Sequence, residues 1–309
     1  MAAASTKQAQ PGVASATHRL AERGIDKGLL LLVPALLFAI ALFVYPFTYG
    51  IGLTVQPTAD MQEQWGGGFL ANYVAFFTDP FIFDTVWITL RLALPAALIN
   101  VLVSVPIAFK LRGSFAGKRF LLTMLVLPIT LGAVLTSQGL LIFAGPGGWL
   151  NRTLLESGII SAPLQLTMNY TGVLLSLIIS GFPFAFLLVS SYLSGIDPSL
   201  ESAARTLGAG WRQRFLRVIL PLLAPGLATT FILTFVLAFS VFPSARLVGD
   251  ALGETRVISL VAFRAFGEQN DYPMASTIAL MLGVVELVVV AVVLLGRSML
   301  YKGPTGGKG

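Results

Sequence analysis

Apolar stretches at about 28–55, 86–109, 120–143, 168–193, 222–242 and 274–295 alternate with shorter polar connections along the chain. A helix needs about 20 mostly apolar residues to cross the hydrocarbon core of a bilayer, and each stretch meets that length. The pattern predicts an all-α polytopic membrane protein with six transmembrane helices. The first stretch carries no charge and is too long for the core of a signal peptide. Prolines fall inside several stretches: Pro34 and Pro46 in the first, Pro95 and Pro106 in the second, Pro128 in the third, Pro183 beside Gly181 in the fourth. Each removes a backbone donor, so kinks are expected at Pro34 and Pro46 and interruptions of the second stretch at Pro95 and Pro106.

The connections differ in character. Residues 56–85 read as an outer loop with a short interfacial helix, and 145–167 as a Gly/Pro-rich outer loop with an amphipathic piece at 150–155. Residues 243–273 form a longer, charged outer segment. Residues 110–119 are short and basic, and 194–221 is a long polar interruption between two strongly apolar runs. The domain reading is a polar tail at 1–27, a membrane domain at 28–301 and a basic, glycine-rich tail at 302–309.

Composition supports this division. Of 309 residues, 56% are hydrophobic and only 11% are charged, against about 25% charged in soluble domains. The net charge of +6 matters through its placement. With both tails, Arg297 just after the sixth stretch and the connections at 110–119 and 194–221 on one side, that side holds fifteen of the twenty Lys and Arg. This positive-inside bias puts both termini in the cytoplasm. It also removes any case for nucleic-acid binding. No cysteine is present, and the one histidine, His18, lies in the first tail. A disulfide, a thiolate or histidine metal site and a cysteine nucleophile are thereby excluded. No phosphate-binding G-x-x-x-x-G-K-[ST] motif and no hydrolase motif occurs, so no catalytic role is assigned.

Residues 194–221 have an internal logic. Asp197 is placed to cap a short helix, Pro198 fits its first position, and Glu201 meets the positive end of the helix dipole. Gly208 and Gly210 turn the chain, and a second short helix from Trp211 to Val218 interleaves Arg212, Arg214 and Arg217 with Trp211, Phe215 and Leu216. In Ala203, Ala204, Leu207, Gly208, Ala209, Phe215, Val218, Leu220 and Pro221 this stretch resembles the EAA loop of bacterial ABC importer permeases. Two positions depart from that pattern: Ser202 stands where the family has glutamate, leaving Glu201 one residue away, and Val218 replaces an isoleucine. Six spans with this loop between the fourth and fifth resemble the type I permease architecture over nearly the whole chain. The run LESAARTLGAGWRQRFLRVILPLLAPG is most similar to the spermidine/putrescine-type group.

The resemblance implies an ATP-driven, binding-protein-dependent importer of a small polar solute, with polyamines and related amines as the implied class. The chain itself would bind no cofactor; ATP and Mg would sit on a partner ATPase. Partners would be a second permease subunit (a homologous chain or a second copy), two ATPase subunits and a substrate-binding protein outside. The coupling loop would comprise Glu201, Ser202, Ala203, Ala204, Arg205, Leu207, Gly208, Ala209, Leu220 and Pro221. Candidates for the substrate path are Glu286, a carboxylate in the middle of the sixth stretch, and the polar cluster Thr136, Ser137 and Gln138. A carboxylate facing lipid costs several kcal/mol, so Glu286 is expected to face protein or a water-filled path. An interhelical hydrogen bond or ion pair is the competing account. Asn100 and Ser104 read as interhelical hydrogen-bonding groups, and Arg91 as a side chain reaching to the outer interface. Asn151-Arg152-Thr153 fits a glycosylation pattern with no other support. The alternative class is a secondary transporter without an ATPase, which would call for internal repeats and more buried ion-coupling groups.

Overall fold

The computed structural model describes residues 27–56, 68–113 and 116–300. Both predicted tails, apart from Lys27 at the inner edge of the first, lie outside these residues. Six helices among the described residues are long and apolar enough to cross a membrane, and no strand is present among them.

The chain forms two compact units divided at Leu53. In the first, α1 (Lys27–Ala39) runs through Pro34 into a π-helical turn (Ile40–Val44) and then α2 (Tyr45–Thr54). The wide turn sits immediately before Pro46, where a proline would otherwise clash with the preceding turn.

The second unit begins with α3 (Ala71–Thr78) and α4 (Pro80–Leu111). The second span starts six residues earlier than the apolar pattern indicated. Asp79 caps it by accepting from Phe81 N at 2.8 Å, and Pro80 takes the first turn, where its missing N–H is no loss. The expected interruptions at Pro95 and Pro106 do not occur; α4 is continuous. At Pro95 the reason is visible. Its ring cannot serve the Arg91 carbonyl four residues back, and the Tyr170 hydroxyl donates to that oxygen instead at 2.8 Å.

The third span, α5 (Lys118–Ala144), is helical on both sides of Gly132, which has φ 72° and ψ 168°. The break is therefore at a glycine, four residues beyond Pro128, because only glycine adopts that backbone without strain. α6 (Trp149–Glu156) is the amphipathic piece of the outer loop. Asn151 is fully buried there: its amide donates to the carbonyls of Gly145 and Leu164 and accepts from Leu164 N. It staples the loop and is closed to modification. The fourth span, α7 (Tyr170–Ser194), passes Gly181 and Pro183 without interruption.

The fifth span is longer than expected. α9 (Trp211–Arg214), a second π-helical turn (Phe215–Ile219) and α10 (Leu220–Phe239) follow without a gap. Pro221 therefore lies in the first turn of α10 and does not mark a fresh entry into the membrane. The charged segment at 243–273 is also corrected. It carries α11 (Pro243–Val248) and α12 (Ile258–Gly267), and both are substantially buried. The last span is α13 (Tyr272–Leu300).

Within this unit α4 and α7 make the most extensive helix pair, and α10 packs on both. Two apolar clusters result. The outer one joins Leu92, Ala93, Ala96, Val173, Phe235, Phe239, Ile258, Leu260 and Ile278. The inner one is smaller and joins Val105, Ala108, Phe186, Val189, Leu193, Ile219 and Leu223.

Candidate functional site

The element between α7 and α10 is built largely as its sequence implies. α8 (Pro198–Thr206) is capped by Asp197, whose side chain accepts from Ser199 N at 2.8 Å. That hydrogen bond holds the Asp197 carboxyl below the usual carboxylate range. The chain leaves α8 through Leu207 and turns at Gly208, which has φ +79°. A Cβ at Gly208 would meet nothing within 4 Å in the isolated chain. The glycine is demanded by the backbone, as its place in the turn implies. The Gly210 N–H is then bonded to the Gln213 side chain at 3.3 Å as α9 begins.

Glu201 is the fixed point of this element. It lies between Arg112, just past the end of α4, at 3.5 Å and Arg214 of α9 at 3.3 Å. Arg112 also donates to the Ile196 carbonyl at 2.8 Å. One guanidinium thus ties the last turn of α4 to the start and middle of the loop. Ser202 makes only a local bond, to the Pro198 carbonyl at 3.2 Å. The carboxylate displaced by one residue therefore faces this chain's own arginines. Ala203, Arg205 and Leu207 are turned outward, while Ala204 and Ala209 are half-buried. Leu207 is 87% exposed and Trp211 66%. Leu220 is half-buried and Pro221 exposed at the start of α10.

The proposed path residues do not form one cluster. Ser240, just past the end of α10, donates to the Glu286 carboxylate at 2.9 Å, so this carboxylate makes an interhelical hydrogen bond within the chain. Thr136 bonds the Gly132 carbonyl at the break in α5, and Gln138 is exposed. Ser137 is fully buried in a three-hydroxyl cluster with Ser176 at 2.9 Å and Ser244 at 3.2 Å. That cluster ties α5 and α7 to α11 of the outer segment. Asn100 does act between helices, donating to Leu177 O at 3.3 Å, but Ser104 bonds its own helix at Asn100 O. Arg91 is exposed about a third of the way along α4, beside Trp87 and Glu254. Sequence reasoning missed Ser176 and Ser244; isolated hydroxyls in apolar stretches give no signal until the helices are packed. It also missed Arg112 as the partner of Glu201.

No group of three or more His, Cys, Asp or Glu that could hold a metal occurs among the described residues. The chemistry available is mechanical and electrostatic: a rigid polar element at one end of the helices, and scattered hydrogen-bonding groups within them.

Residues 97–301 match the family described as binding-protein-dependent transport system inner membrane component. Among individual proteins, the chain is 31% identical over 234 residues to the spermidine/putrescine transport system permease protein PotB of Haemophilus influenzae, covering 75% of this chain and 81% of that one. It is 33% identical over 213 residues to a probable sulfate transport system permease protein of Prototheca wickerhamii, covering 69% and 82%. Among solved structures, a chain of a bacterial ABC transporter involved in the import of alginate shares the fold with a TM-score of 0.76 at 20% identity. That match covers 92% of this chain and all of the other.

Proposed function

We infer that this chain, which belongs to the family of binding-protein-dependent transport system inner membrane components, couples ATP hydrolysis on partner subunits to the import of a polyamine or a related amine. Its membership makes it a permease component of an ABC importer, a translocation subunit and not an enzyme. The roles of individual residues and the choice of solute are our proposal.

The observation that carries the coupling role is the clasp on Glu201. A lever transmits force only if it is stiff and firmly attached. α8 is capped at one end, turned sharply at Gly208 and tied by Arg112 to the end of α4. Its apolar residues Leu200 and Leu207 are left uncovered, together with Ala203. In the proposal these enter a cleft on an ATPase subunit at the inner face, and closure of the ATPases moves α8 as a rigid body. The ion pairs to Arg112 and Arg214 pass that displacement to α4 and to α10. A second permease subunit completes the path, and a binding protein delivers solute from outside.

The solute class rests on two supports. Curated spermidine/putrescine permeases are among the chain's relatives, alongside sulfate permeases. Glu286 supplies a carboxylate in the sixth span, which favours a cationic solute over sulfate or an acidic sugar. Gly208→Asp tests the coupling. The new side chain has no room problem but opposes the φ of +79° and adds a negative charge to the docking face. We expect insertion into the membrane at normal levels with ATP-dependent uptake reduced to background; normal uptake by that variant would overturn the assignment.

A further inference from the structure

We propose that the groove between the inner end of α4 and α9 binds the phosphate of one anionic phospholipid, with an acyl chain laid along α4. The groove has a volume of about 550 Å³ and is framed by Pro106, Phe109 and Lys110 on one side and Trp211, Arg212 and Phe215 on the other. Phe109 and Phe215 meet edge to face, ring centroids 5.2 Å apart, and make its floor.

The basic residues here occur in two sets with different partners. Arg112 and Arg214 turn to Glu201. Two residues earlier on each segment, Lys110 and Arg212 turn into the groove, and no carboxylate pairs with either among the described residues. Two unpaired cations over an aromatic floor suit a phosphodiester. Trp211 beside them has the amphipathic ring that settles at the headgroup level.

The groove is continuous with an exposed apolar stripe. Leu98, Leu102 and Pro106 follow at four-residue spacing on α4 and lead to Lys110. The stripe rises about 18 Å at 1.5 Å per residue, close to the roughly 15 Å of one leaflet's hydrocarbon. A free phosphate would use the rim and leave the stripe bare, whereas a phospholipid fills both. The anionic lipid of the cytoplasmic leaflet is the matching occupant. This inference rests on the placement of residues 194–221 at the inner face. That placement fails through labelling of the loop from outside, a readout separate from lipid binding.

The test uses the purified full-length chain in phosphatidylcholine vesicles carrying brominated phosphatidylglycerol or brominated phosphatidylcholine. Bromine quenches nearby tryptophan, and Trp211→Phe isolates the contribution of Trp211. We expect brominated phosphatidylglycerol to quench at about thirtyfold lower mole fraction, the factor two basic groups at a membrane surface supply together. The double variant Lys110→Gln/Arg212→Gln should lose that preference. Lys118→Gln/Arg119→Gln, with the same charge removed nearby, should keep it. Equal quenching by the two lipids in the unaltered chain overturns the proposal whether or not a variant folds. So does a preference that survives in the first double variant or disappears in the second. Displacement by inorganic phosphate alone would mean a free-anion site, and loss of quenching on adding ATPase subunits would mean a protein interface; either result also overturns it.

Discussion

The segment at 243–273, outer in the proposed orientation, and the loop at 194–221, inner in it, are of similar length and both carry charges, yet the structure holds them by different means. The outer one is sunk into the larger apolar cluster. Val257, Ile258 and Leu260 are fully buried, and the Ile258 N–H reaches the Thr89 hydroxyl at 3.0 Å. Its charges find local company: the Arg256 guanidinium lies 3.7 Å over the Phe81 ring. The inner loop buries no residue of α8 at all. Two ion pairs and one arginine-to-carbonyl bond fix α8, and Leu200, Leu207 and Trp211 stay outside, while burial is confined to the loop's far end at Ile219. A segment held by burial is finished within its own chain. A segment held by its charges, with leucine and tryptophan uncovered, is built to be covered by something else.

This contrast can be broken from either side. The largest effect on stability should come from Ile258→Ala, which leaves a cavity under the outer segment. A loss of about 2–5 kcal/mol is expected for such a truncation, read as a lower thermal midpoint of the detergent-solubilised protein together with reduced uptake. Glu201→Gln should cost less, about 0.5–1 kcal/mol, because its partners are partly exposed and screened. Its signature is a separation of readouts: solubilised stability nearly unchanged, ATP hydrolysis in the assembled complex retained, and uptake per ATP reduced. Equal loss of stability and uptake in both variants would mean that the two segments are held alike.

The smallest effect belongs to the cap. The Asp197 carboxyl sits below its ordinary range because it accepts the Ser199 N–H. A lowered folded-state value stabilises above the unfolded value and is lost only as pH falls through the lowered one. The protection of the Ser199 amide, its exchange rate relative to the intrinsic rate at each pH, should therefore be constant through neutral pH and fall only in strong acid. Asp197→Ala should show the lowered protection at every pH.

The same contrast explains how much of the molecule its sequence discloses. The spans are legible because apolar length is a local property. So is the turn at Gly208, since a glycine after a capped amphipathic run needs no distant information. What the sequence hid depends on partners far along the chain. The continuity of α4 through Pro95 depends on Tyr170, 79 residues from the Arg91 carbonyl it serves. The partner of Glu201 lies on the other side of two spans, so its ion pair to Arg112 could not be read from spacing. Pro128 gave the louder signal in the third span, yet the break falls at Gly132. The charges of 243–273 marked it as a connection outside the spans, while the apolar residues between them decided its burial. The polar cluster at 136–138 divided because three adjacent residues on a helix face three directions, and only Ser137 turns to Ser176 and Ser244.

The central claim is that residues 194–221 form a stiff element at the inner face whose uncovered residues meet an ATPase. The chain has no native cysteine, so Leu207→Cys places a single thiol at the most exposed point of the loop. The account predicts that a membrane-impermeant maleimide fails to label it in intact cells, labels it in inverted membrane vesicles stripped of ATPase subunits, and is blocked when those subunits are restored. Labelling in intact cells, or labelling undiminished by the ATPase subunits, would contradict it.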